Sequence, residues 1–187
     1  MADNRSPPQP TKQDRLPMEE HYSDEMLREI GLLFMTAAGV ETALNFQLAK
    51  LSCFPGDLHA LALMPVWGME TKVKLEKIST LSALIFKERA QPVARICDKL
   101  RRSFRRRNEL THYLNSPTGK TDTILLTTYR PNARGEMDAE KVWTRKQVRE
   151  LTIVLLGRSN QLVECLTQIG LRPVPKWVGL TLEPNRL

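Results

Sequence analysis

Apolar residues recur three and four positions apart through four long stretches of this chain, the period of helices with one buried face. The first opens at Ser23, a good N-cap, with Asp24 and Glu25 where a helix dipole favours acids. Its stripe carries Leu27, Ile30, Phe34, Ala37, Leu44, Leu48 and Leu51 almost to Cys53, with Glu41 in the middle. Gly31 and Gly39 would let another helix approach closely. Pro55-Gly56 ends the run, and 57–64 adds a helical turn or two before Pro65. A second helix is expected over 69–87, with Ile78, Leu81 and Ile85 inward and Lys74 on the same side. The third starts at Pro92, an N1-like position, and runs to about Asn115, ahead of Ser116-Pro117-Thr118-Gly119. Its stripe is Val93, Ile96, Cys97, Leu100, Phe104, Thr111 and Leu114, and Arg107 projects among them.

The pattern then changes period. Residues 121–129 are β-branched around Ile124, Leu125 and Leu126, and 136–143 repeat the tendency more weakly. The turn Pro131-Asn132-Ala133-Arg134-Gly135 joins them as a hairpin. A last helix is capped by Thr144, buries Val148, Leu151, Leu155, Leu162, Cys165, Leu166 and Ile169, and closes at Gly170. These elements predict an all-α fold: an antiparallel four- to five-helix bundle with a short β-hairpin inserted before the last long helix. It occupies 22–171. Residues 1–21, with four prolines and little to bury, read as a disordered arm, and 172–187 as a Pro-rich tail.

Composition narrows the picture. With 187 residues, 41% hydrophobic and 26% charged, the chain suits one ordinary globular domain. Three cysteines far apart, without metal-ligand spacing, fit small core residues in a reducing cytoplasm. Neither a metal nor another cofactor is expected. The N-terminus has no apolar run of the secretory kind, and the apolar run at 30–40 is too short to span a bilayer, so a cytoplasmic protein is expected, with no membrane contact. The net charge of +7 is concentrated: between Lys87 and Arg107 nine Lys and Arg face only Glu88 and Asp98. That suits a polyanion such as RNA, although a solvated helix face explains most charge runs.

Candidate chemistry centres on the end of the third helix. No phosphate-binding loop, dinucleotide glycine pattern or nucleophile elbow is present, and His21 and His59 stand alone. His112 differs because Asn108 lies four residues before it, a helical neighbour. Arg107 is five residues before it, about 140° around the helix, so the two meet only if the arginine curls round or a second chain supplies one of them. An arginine among apolar positions is costly unless paired. Glu41 and Lys74, also on buried stripes, invite pairing with each other or with Arg107, unless they reach water at a stripe edge.

Here the chain resembles HEPN domains (higher eukaryotes and prokaryotes nucleotide-binding). The stretch Arg107-Asn108-Glu109-Leu110-Thr111-His112 matches their pattern of arginine, polar residue, three residues, histidine, late in the third main helix. Glu41 in the first helix and Lys74 in the second also look like bacterial members, and the resemblance covers about 24–170. It implies a metal-independent endoribonuclease whose two copies pair so that both motifs face one composite site. His112 would act as general base or acid. Arg107 would hold the scissile phosphate, and Asn108 would orient the imidazole. Arg101, Arg102, Arg105 and Arg106 would hold the RNA backbone. RNA, a homodimer partner, and an antitoxin or other protein partner follow from this, in a toxin or phage-defence setting. One departure is plain: where toxins paired with minimal nucleotidyltransferases have a tyrosine two residues after the histidine, this chain has Leu114. The competing reading is a non-catalytic module that dimerises, binds RNA or serves as an adaptor, with Arg107 in a structural ion pair with Glu41.

Overall fold

The computed structural model describes residues 22–52, 66–112, 114–117, 122–126 and 141–171, with side chains described for all but His112 and 114–117. The expected arm, the turn-rich segment at 57–64, the hairpin turn and the tail lie outside them. The described chain is mostly helical with one small antiparallel sheet. In order it forms α1 (Asp24–Leu51), α2 (Thr71–Phe86), a 3-10 segment (Lys87–Ala90), α3 (Gln91–His112), β1 (Leu114–Pro117), β2 (Thr123–Leu126), β3 (Lys141–Thr144) and α4 (Arg145–Gln168).

Local chemistry sets three of the helix ends. The Met26 N–H donates to Ser23 Oγ at 3.1 Å, which caps α1 as expected, and Ser23 Oγ in turn donates to Asp122 Oδ1. At α4 the Gln147 N–H donates to Thr144 Oγ1 at 3.3 Å and the Thr144 N–H donates to Gln147 Oε1 at 2.8 Å, a reciprocal capping box. Gly170, at φ +112°, closes the same helix. Its N–H donates to Thr167 O and the Leu171 N–H to Leu166 O, the pair of hydrogen bonds of a left-handed C-terminal cap.

Two compact units share these helices: the described parts of 1–42 with Leu100–Gly157, and Ala43–Lys99 with the described part of 158–187. In the first, Met26, Ile30, Leu33, Ala37 and Val40 of α1 are buried, together with Leu100, Phe104 and Leu110 of α3. Ile124, Leu126 and Trp143 of the sheet and Val148, Leu151 and Leu155 of α4 complete this core. In the second, Leu44, Leu48, Leu51, Leu75, Ile78, Val93, Cys97, Leu162 and Leu166 are buried, and Arg158 of α4 donates to the Lys99 carbonyl of α3 at 2.7 Å.

Several expectations are corrected. The buried face of α1 is turned toward Met26, Leu33 and Val40, which leaves Leu27, Phe34 and Glu41 at its edge, half-buried. Gly31 and Gly39 are exposed, and a Cβ built on either meets nothing within 4 Å, so neither supports a close helix approach. Helix α2 ends earlier than expected, at Phe86. Lys87 adopts φ +53°, the one non-glycine residue with positive φ among those described, and Ile85 is 43% exposed instead of inward. Helix α3 stops at His112: Leu114 joins a strand and Thr111 is exposed, while Ser103 and Leu110 are buried in place of the expected positions. The expected hairpin forms with register Thr123↔Thr144, Ile124↔Trp143, Leu125↔Val142 and Leu126↔Lys141. A third strand, β1, pairs antiparallel on β2. Helix α1 is also long and apolar enough to cross a membrane, with mean hydropathy 1.2 over 18 residues, contrary to the expectation from the apolar run alone. By length and composition alone it passes that test, and 44% of the window is buried inside the protein.

Candidate functional site

The motif helix carries its arginines in two settings. Arg102, Arg105 and Arg106 are exposed, as a charged face should be, whereas Arg101 and Arg107 are half-buried. Arg107 lies on the same side as Phe104, the position forced by its three-residue separation. Its Nη2 donates to Glu41 Oε1 of α1 at 2.9 Å, an ion pair with side chains 19% and 33% exposed. The guanidinium carbon also lies 5.6 Å from the centre of the Phe104 ring and 5.9 Å from that of Phe34. Two rings and a carboxylate thus fix the group, and its Nε is buried without a hydrogen bond. An arginine among apolar positions does need a partner, and here it has one.

The other sequence-derived residues divide. Glu41 meets Arg107 as one of the two anticipated pairings. Lys74 is buried at 3% exposure in the other compact unit. Asn108 is exposed. His112 is the last residue of α3, and its side chain lies outside the description. Among the described residues no three His, Cys, Asp or Glu side chains converge as metal ligands would.

Residues that sequence spacing did not flag surround Arg106. Its guanidinium carbon lies 4.9 Å from the centre of the Trp143 ring, and Lys141 Nζ lies 5.4 Å from the same centre. Lys141 Nζ donates to Glu109 Oε2 at 2.7 Å. Glu109 belongs to the motif stretch and Lys141 to β3, 32 residues later, so helical spacing carries no trace of the pairing. The only available signal was the placing of a Lys and a Trp two apart on one strand, hence on one face.

Burial raises the Cys165 thiol above its ordinary value, and the neighbouring Glu164 raises it further, which suppresses its thiolate. Burial likewise raises the Tyr22 hydroxyl and lowers the Lys50 ammonium. An open groove lined by Ile85, Phe86, Lys87, Glu88 and Arg89 lies in the other compact unit from Arg107.

Comparison with protein families, curated proteins and solved structures finds no match to this chain.

Proposed function

We propose that this chain is a metal-independent endoribonuclease built as an antiparallel HEPN-like helical bundle, acting as a dimer at the C-terminal end of α3. The reading rests on one observation above all. A cationic fork is held half-buried by Glu41, Phe34 and Phe104 at the end of an arginine-rich helix, five residues before the histidine. Such pre-orientation lets an arginine meet developing phosphate charge without reorganising. Exposed Arg102, Arg105 and Arg106 hold the RNA backbone by charge, without reading sequence. The ribose 2′-oxygen attacks phosphorus and the bond to the 5′-oxygen breaks. His112 of one copy takes the 2′-OH proton while Arg107 of the other copy holds the phosphate, and the leaving oxygen takes a proton from water, whose hydroxide the imidazolium neutralises. The products are a 2′,3′-cyclic phosphate and a 5′-hydroxyl. A toxin or phage-defence role, with an antitoxin or other protein as partner, is the setting that the resemblance implies.

The test is incubation of the purified chain with mixed RNA in EDTA, beside His112→Ala, with end-group analysis. Cyclic-phosphate ends from the wild type and none from the variant are expected; equal cleavage by both sinks the proposal.

A second reading draws on the same ion pair. Glu41 neutralises Arg107, and Arg106 lies against Trp143, as in a helix that binds RNA or a second copy without cutting. It predicts salt-sensitive RNA retention with no product from either protein.

A further inference from the structure

Trp143 is 1% exposed, yet two exposed cations from different elements lie on its ring, Arg106 from α3 and Lys141 from β3. The Ile124↔Trp143 pairing holds the indole in the sheet, so its face is a fixed support. Charges of like sign gathered on one ring repel each other, and a ring face attracts a cation without cancelling its charge. Among the described residues one anion answers them: Glu109, at 2.7 Å from Lys141. Among the described residues Arg106 makes its contact with the ring and pairs with no carboxylate. The cluster therefore carries one positive charge in excess, at the surface, beside exposed Arg102 and Arg105 on the same helix.

We propose that Arg106 and Lys141, mounted on Trp143, form a phosphodiester-binding subsite for single-stranded RNA that extends the α3 surface onto β3. Glu109 is the resident competitor, its carboxylate occupying Lys141 until a phosphate displaces it. Trp143 is a positioning residue: it holds the guanidinium against its ring while Arg106 stays exposed. The proposal rests on the RNA reading above, and it is independent of whether the RNA is cut.

The experiment is fluorescence anisotropy with a labelled single-stranded RNA over a salt series in EDTA. The full chain carries His112→Ala, which keeps the RNA intact. Arg106→Gln and Lys141→Gln are each expected to weaken binding several-fold and to flatten the slope of log affinity against log salt by about 0.7, the value for one lost phosphate contact on a single strand. Glu109→Gln is expected to tighten binding, and the gain should vanish when Lys141→Gln is added. Wild-type affinity and slope in Arg106→Gln and Lys141→Gln, with weakening by Arg105→Gln, would overturn the subsite and leave the RNA reading standing. Unchanged affinity in Glu109→Gln would overturn the competitor role. Absence of RNA binding by every version at low salt would remove both.

Discussion

Water still reaches the pair between Arg107 and Glu41, so its worth is that of a screened surface bridge plus packing. Glu41→Gln, which keeps an acceptor and removes the charge, should lower stability by about 0.5–1 kcal/mol. Arg107→Ala also strips the arginine stem from Phe34 and Phe104, and should cost about 1–2 kcal/mol. Urea unfolding of the two variants checks this. A larger loss in Glu41→Gln would mean that the carboxylate holds more than Arg107. At this scale the sequence was legible where one helix face decided the matter. A cation among apolar neighbours demanded a partner, and Glu41 was the acidic candidate on a buried stripe. It was illegible for Arg106, whose indole support arrives from a strand 37 positions later, with no periodicity linking the two.

Elements were readable in proportion to how much local chemistry determined them. Helix α4 follows its expected span closely because a capping box opens it, a glycine closes it and an unbroken stripe lies between. Thr144→Ala should cost about 1 kcal/mol through loss of that cap. Glycines separate into two kinds: Gly170→Ala should destabilise by on the order of 1 kcal/mol or more, because an L side chain is strained at φ +112°. Gly31→Ala and Gly39→Ala, in an exposed helix face with open space around them, should each stabilise by about 0.5–1 kcal/mol. Thermal melts of the four variants would show the opposite signs, and a destabilised Gly31→Ala would reveal a contact on that face. Strand β1 escaped detection because Leu114 continues the apolar period of α3, so the local pattern favours helix. Its pairing with β2 is a tertiary contact that overrides that preference. The α1 stripe was misplaced by about one position because Leu27, Phe34 and Leu33 are equally apolar, and only packing chooses among them.

For the whole molecule, charge and assembly carry the argument. Most of the net charge of +7 belongs to one span, 87–107, and five of its nine basic residues lie on 101–107 of α3. On the proposed reading, a long-range field of this kind would steer RNA toward one helix. The proposed site draws Arg107 from one copy and His112 from another, so assembly and activity are tied. Arg107→Ala and His112→Ala, each inactive alone, should regain part of the wild-type RNA cleavage when mixed and allowed to exchange subunits. No regain, with exchange verified by two differently labelled copies, would place both groups within one chain.

The two compact units are each assembled from segments far apart in the sequence, and this has a consequence in time. Glu41 leaves the ribosome 66 residues before Arg107. At a synthesis rate of about 5–20 residues per second, roughly 3–13 s pass before α1 can meet its partner in α3. Throughout that interval the most apolar of the described helices has no partner in 100–157 yet made for Met26, Leu33 and Val40. The nascent chain is therefore most open to chaperones, and to aggregation, long before its basic helix exists.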